Sequence, residues 1–203
     1  MVRSVDAFKH LLGDDAVMAF ARGKKTPEPL GEAALFEYAV GALARKMRTV
    51  RDLKRLMRMR AEEGEAGERT MDRIVVRLKD LNYLSDTRFA ADYTRLRKEN
   101  EKFGRRRVQQ GLVQKGVHKD LIASTLAKAY DDVDEVALAR EYITRKRMKQ
   151  PSGEDAKKQA ARVMGRLMRA GFSASAIFKV LREWDVEVDE GELDEAENDS
   201  SEE

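Results

Sequence analysis

Between residues 33 and 185, apolar side chains recur every three or four positions, the spacing that gathers them on one face of an α-helix. Leu35, Tyr38, Ala42, Leu43 and Met47 form the first such stripe. Thr49 reads as the cap of a second helix, with Asp52 at capping-box distance and Val50, Leu53, Leu56 and Met57 on its inner side. After the polar stretch 61–68, a third helix carries Met71, Ile74, Val75 and Leu78. No alternating Val/Ile/Thr-rich run competes with these patterns, so strands are not expected.

The same order then returns. Asp86 reads as the cap of a helix with Phe89, Tyr93 and Leu96 inward. Gly104 opens another with Val108, Leu112 and Val113, and a third runs from about His118 to Tyr130 with Leu121, Ile122 and Leu126 inward. A final set covers about 136–147, 155–170 and 173–184, with Asp132 and Glu135 at capping-box spacing before it. Gly116-Val117 matches Gly171-Phe172, each a glycine in the left-handed helix-stop position followed by an apolar residue that packs back. Leu56, Leu112 and Leu167 mark the period. The pattern predicts an all-α protein of three tandem three-helix repeats, at 32–84, 85–132 and 133–185. Units this small need neighbours to complete their burial, so an elongated, curved rod is expected. Residues 1–31 read as a weakly ordered leader broken by Pro27 and Pro29, and 186–203 as a disordered acidic tail.

Composition removes whole classes of chemistry. With no cysteine among 203 residues, disulfides, thiol catalysis and cysteine zinc sites are excluded. The two histidines, His10 and His118, are too far apart in sequence to suggest a histidine metal site, and His118 reads as a solvated or capping residue. The 13 glycines form no phosphate loop, and Ser124 and Ser173 have no triad partners nearby. An enzyme is not expected, nor a cofactor or metal. No apolar run is long enough to span a membrane and the first residues do not resemble a secretory signal, so a cytoplasmic protein is expected. No long heptad is present, and a monomer is expected.

Charge supplies the positive signal. Twelve of the 37 acidic residues lie in 183–203, and no Lys or Arg follows Arg182, so residues 1–182 hold 40 basic against 25 acidic side chains, a net of +15. Such a body suits an anionic partner. Arg95, Arg97, Lys98, Lys102, Arg105, Arg106 and Arg107 crowd into 13 residues that contain only Glu99 and Glu101 as acids. Three arginines in the first turn of a helix oppose its dipole, a local cost that singles the place out as a candidate anion site formed by arginines and free backbone N–H groups. The candidate binding residues are Arg95, Lys98, Lys102, Arg105, Arg106, Arg107 and Lys115, with a second run at Arg145, Lys146 and Arg147. Basic residues recur at Lys157, Lys158, Arg162, Arg166 and Arg169.

The stretch Leu81-Asn82-Tyr83-Leu84-Ser85-Asp86-Thr87-Arg88-Phe89-Ala90, followed by Tyr93, Lys102-Phe103-Gly104-Arg105-Arg106-Arg107, Leu112 and Lys115-Gly116-Val117, resembles the central signature of the RecX family. Leu167-Met168-Arg169-Ala170-Gly171-Phe172 is similar to that family's C-terminal element. The likeness covers about 33–184; Ser85 stands where the family often has Asn or Asp. It implies tandem three-helix repeats and a regulator that binds the RecA recombinase, alone and as a filament on DNA, opposing filament growth, ATP hydrolysis and strand exchange. Two other readings stay open at this point. One is a DNA-binding protein that acts by competing for single-stranded DNA; the other is a helical scaffold for another partner, in which the acidic tail is the active element. Single- and double-stranded DNA are further expected partners beside the RecA filament.

Overall fold

The computed structural model describes residues 28–184. The expected leader lies outside these residues up to position 27, and the expected acidic tail lies wholly outside them. Nine α-helices are present among the described residues: α1 (Glu32–Arg45), α2 (Val50–Arg58), α3 (Glu65–Asp80), α4 (Asp86–Glu99), α5 (Arg105–Gln114), α6 (Lys119–Tyr130), α7 (Glu135–Arg145), α8 (Ala156–Arg169) and α9 (Ala174–Arg182). They group in threes around three apolar cores. The first holds Leu35, Leu53, Met57, Met71, Ile74 and Leu78. The second holds Phe89, Val108, Leu112, Val117, Ile122 and Leu126. The third holds Leu138, Tyr142, Val163, Leu167, Phe172, Ile177 and Leu181, with Trp184 packed on its edge.

Where individual residues differ from the sequence pattern, the physical reason is visible. The period runs through Met57, Leu112 and Leu167, all fully buried, and not through Leu56, which is half-buried. The helix-stop geometry fixes the phase, since Val117 N–H and Phe172 N–H fold back on the carbonyls of Leu112 and Leu167 at 3.2 Å. Met47 falls beyond the end of α1 and is exposed, and Leu96 turns outward while Ala90 and Thr94 face the core.

Two caps are also reassigned, and the capping box at α2 is left open. Ser85, not Asp86, caps α4 by accepting the Arg88 N–H. Asp86 is thereby free to accept the Val50 N–H at 2.9 Å, capping α2 of the preceding repeat. The Asp132–Glu135 box is absent: Asp134 caps α7 through the N–H groups of Val136 and Ala137, while the Glu135 carboxylate takes the Ser173 N–H at 2.7 Å and its hydroxyl at 2.6 Å. At α2 the Thr49 hydroxyl accepts the Asp52 N–H as expected, but the Asp52 carboxylate turns to Lys115 instead of back to the cap.

Among the described residues, one buried side-chain polar atom lacks a partner. The Thr94 hydroxyl oxygen is sealed inside the second core with no hydrogen bond. Thr94→Val keeps the side-chain shape and removes that group, so a stabilisation of about 1 kcal/mol is expected in a urea titration. A loss of stability would show that the hydroxyl has a partner in solution.

Candidate partner-binding site

Successive repeats meet helix end to helix end. The start of α5 sits on the glycine turn that closes α8: Gly104 N–H donates to the Ala170 carbonyl at 2.9 Å and Arg106 N–H to the Gly171 carbonyl at 3.3 Å. The start of α2 sits in the same way on the turn that closes α5. There the Thr49 hydroxyl donates to the Lys115 carbonyl at 2.8 Å, Arg51 donates to the Gln114 carbonyl, and the Lys115 ammonium pairs with Asp52 at 3.0 Å. Each junction thus sets the positive end of one helix dipole against the carbonyl end of the next.

This geometry corrects one sequence inference. The backbone N–H groups of Gly104 and Arg106 are not available to an anion, because the α8 turn consumes them. It also explains why three arginines are tolerated at a helix start: the α8 carbonyls supply the negative partial charge that the α5 terminus lacks. Their side chains remain outward, and all three residues are exposed.

Tertiary contacts then build a cationic surface at the junction of repeats 2 and 3. Phe103, just before Gly104, inserts between the second and third cores and lies 6.2 Å from the Tyr142 ring. Tyr130 donates its hydroxyl to the Phe103 carbonyl at 2.8 Å, and burial holds that hydroxyl well above its ordinary pKa, so it stays a donor. Arg107 lies over the Phe103 ring at 5.9 Å and Lys146 over the Tyr142 ring at 5.7 Å. Burial raises the pKa of Tyr142, while Arg166, Arg169 and Arg107 act on the same hydroxyl in the opposite direction. Cations from α5 and α8 therefore act electrostatically on one buried tyrosine, and Lys146, just past the end of α7, lies over its ring. Arg166 and Arg169 had read only as recurrent basic residues; their three-residue spacing puts them on one helix face, but nothing in the sequence pointed that face at Tyr142.

The remaining candidates are distributed differently. Lys102 pairs with Glu141 across the junction at 2.6 Å. Lys98 is drawn into the fold, its ammonium donating to the Ala129 carbonyl at 2.9 Å and lying over Tyr130. Arg95 is exposed on α4 beside Asp92 and Glu99. Lys115 belongs to the other junction, with Asp52. Arg145 and Arg147 flank Lys146 at the exposed end of α7, and Arg147 and Lys102 both hold left-handed φ values, +50° and +58°. Among the described residues no cluster of three or more His, Cys, Asp or Glu side chains could hold a metal, and no helix is long and apolar enough to cross a membrane.

The fold and this surface define a helical-repeat protein that presents cations at its inter-repeat junctions. Residues 85–126 match the family model described as the second three-helix domain of RecX. Regulatory protein RecX of Deinococcus radiodurans is 30% identical over 162 residues, covering 80% of this chain and 73% of that relative. Its counterpart in Mycobacterium ulcerans is 27% identical over 156 residues, covering 77% and 87%. Among solved structures, RecX from Lactobacillus salivarius superposes with a TM-score of 0.57 at 20% identity, over 76% of this chain and 96% of that one. A second structure of regulatory protein RecX gives 0.61 at 22% identity, over 85% and 80%. The chain belongs to the RecX family of regulatory proteins.

Proposed function

We propose that this protein binds RecA and RecA–DNA filaments, restraining filament growth, ATP hydrolysis and strand exchange, and so regulates recombination and DNA repair. The observation that carries this reading is the set of exposed cations at the junction of repeats 2 and 3: Arg105 and Arg107 at the start of α5, Lys146 at the end of α7, and Arg166 and Arg169 on α8. Because the junctions are formed by helix ends, the repeats present their charges along successive segments of one chain. That suits a partner with repeated anionic surface, such as a protein filament wound on DNA.

The test is RecA ATPase activity on single-stranded DNA, with this protein titrated from far below the RecA concentration upward. Suppression at substoichiometric amounts is expected, since a regulator that acts on filament growth needs few copies. Suppression that begins only when the protein rivals the DNA in amount would instead assign it to strand competition, and its DNA affinity would then fall with salt at a log–log slope of about −0.7 per phosphate contact. No suppression at any amount would remove RecA as the partner of inhibition.

A further inference from the structure

The junction of repeats 1 and 2 differs from the cationic surface described above. A groove of about 460 Å³ opens there, with α2 and the end of α1 on one side and α4 with the end of α5 on the other. Its apolar floor is formed by Met47, Leu56, Met59, Phe89 and Leu96, of which Met47, Met59 and Leu96 are 44%, 76% and 45% exposed. Such a volume lies within the range of ligand clefts, about 300–1,000 Å³. Methionine is the side chain that adapts most readily to different apolar shapes.

The charges around this floor are unbalanced in one direction. Of the two acids in the lining, Asp52 is paired with Lys115 at 3.0 Å and Asp92 with Arg95 at 3.4 Å. The side chains of Lys46 and Arg55, also in the lining, have no ion pair or hydrogen bond among the described residues. The unsatisfied charges on the rim are therefore all positive, above a floor that is apolar.

We infer that this groove is a docking site for an acidic protein segment that carries one or more large aliphatic side chains: aliphatic anchors on the methionine floor, carboxylates against Lys46 and Arg55. The inference goes beyond RecA binding by assigning a separate surface and the chemistry of the segment it takes; it rests on the proposed function only in supposing that the segment belongs to a protein partner. A nucleic acid fits less well. The ring at the groove's edge, Tyr93, is stacked on Phe89 at 5.9 Å and covered by Arg97 at 5.1 Å, which leaves no open face for a base. Lys46 and Arg55 would take phosphate as well as carboxylate, but the exposed methionines and leucine favour a ligand that brings aliphatic side chains with its charge.

The experiment follows the methyl resonances of Met47 and Met59 in the full chain, labelled at methionine. The probe is a twelve-residue glutamate-rich peptide with two leucines four positions apart, set beside the same peptide with both leucines replaced by serine, and beside oligothymidylate. The leucine peptide is expected to shift both methyl groups, the serine peptide to bind at least about tenfold more weakly, and Lys46→Glu with Arg55→Glu to weaken the leucine peptide by about tenfold or more. Equal binding of the leucine and serine peptides, absence of any shift at Met47 and Met59, or a shift of these methyl groups by oligothymidylate alone would overturn the assignment. Met59→Glu with Leu96→Glu, both at exposed positions, is then compared with the unaltered protein in the RecA ATPase titration. If the unaltered protein fails to suppress, the RecA reading falls while the peptide result stands. If it suppresses and the variant does so equally, the groove is not where RecA is engaged.

Discussion

Simultaneous reversal of Arg105, Arg106 and Arg107 to glutamate is expected to raise the amount of protein needed for half-suppression of RecA ATPase by at least about tenfold, with helix content unchanged. All three side chains are exposed and lie outside the apolar cores, so the substitution leaves burial intact. Glutamate in the first turn of α5 is favoured by that helix's own dipole and opposed by the α8 carbonyls docked on it, so little net change in local structure is expected. What changes is the sign of the surface beside Arg166, Arg169 and Lys146. If these arginines meet phosphate, the salt slope of DNA binding should shrink as well, by about 0.7 for each single-strand phosphate that is no longer neutralised. Circular dichroism, ATPase suppression and a salt titration together give the result. Unchanged suppression by a folded triple variant would remove the α5 arginines from the partner interface.

Gly104→Ala should be among the most damaging single substitutions in the chain. An alanine β-carbon at 104 would lie 2.3 Å from the Gly171 carbonyl oxygen and 2.8 Å from the Phe172 nitrogen, and both are backbone atoms that cannot rotate away. The helix ends would have to separate, breaking the bonds from Gly104 N–H and Arg106 N–H. Gly171→Ala reaches the same place from the other side, with its β-carbon 2.2 Å from the Arg107 nitrogen and a backbone φ of +89° that alanine resists. Each is expected to cost about 2–4 kcal/mol and to make urea unfolding less cooperative, as repeats 2 and 3 uncouple. Gly41→Ala, in the interior of α1 with no atom within 4 Å of the new methyl group, should instead stabilise by about 0.5–1 kcal/mol. If Gly104→Ala were as harmless as Gly41→Ala, the close approach of α5 to the α8 turn would not exist in solution.

These two outcomes are linked by geometry. The arginines that carry the proposed interaction stand directly on the residue that docks repeat 2 onto repeat 3, so spoiling the docking also re-aims the arginines relative to Arg166 and Arg169. Gly104→Ala should therefore lower suppression as well as stability, whereas the arginine reversal lowers suppression alone.

The all-helical class and the threefold recurrence of three helices were readable in the residues themselves. Apolar side chains at 3.6-residue spacing have one low-energy outcome when water must be excluded, and the stops at Gly116 and Gly171 recur with an apolar residue behind them because the left-handed turn needs both. The basic surplus was equally legible, and so were Arg105, Arg106 and Arg107 as a break in local rules. Capping at single-residue resolution was not. Ser85 against Asp86, or Asp134 against Asp132, is decided by which neighbour is recruited elsewhere, and Asp86 is recruited by α2 of another repeat.

Tertiary structure alone decided what the charges do. Spacing could not reveal that the N–H groups of Gly104 and Arg106 are spent on the Ala170 and Gly171 carbonyls, that Lys98 is held by Ala129, or that Arg166, Arg169 and Arg107 act on the same tyrosine. Nor could it reveal a methionine-floored groove, because Met47 and Met59 carry the same helical signature as core residues and are exposed by where their helices end. The division has a physical cause. Helix formation and burial depend on near neighbours in the chain and on the hydrophobicity of each side chain, so they leave a periodic trace. Electrostatic surfaces and clefts depend on which distant segments are brought together, and that is set by the docking of one helix end on the next.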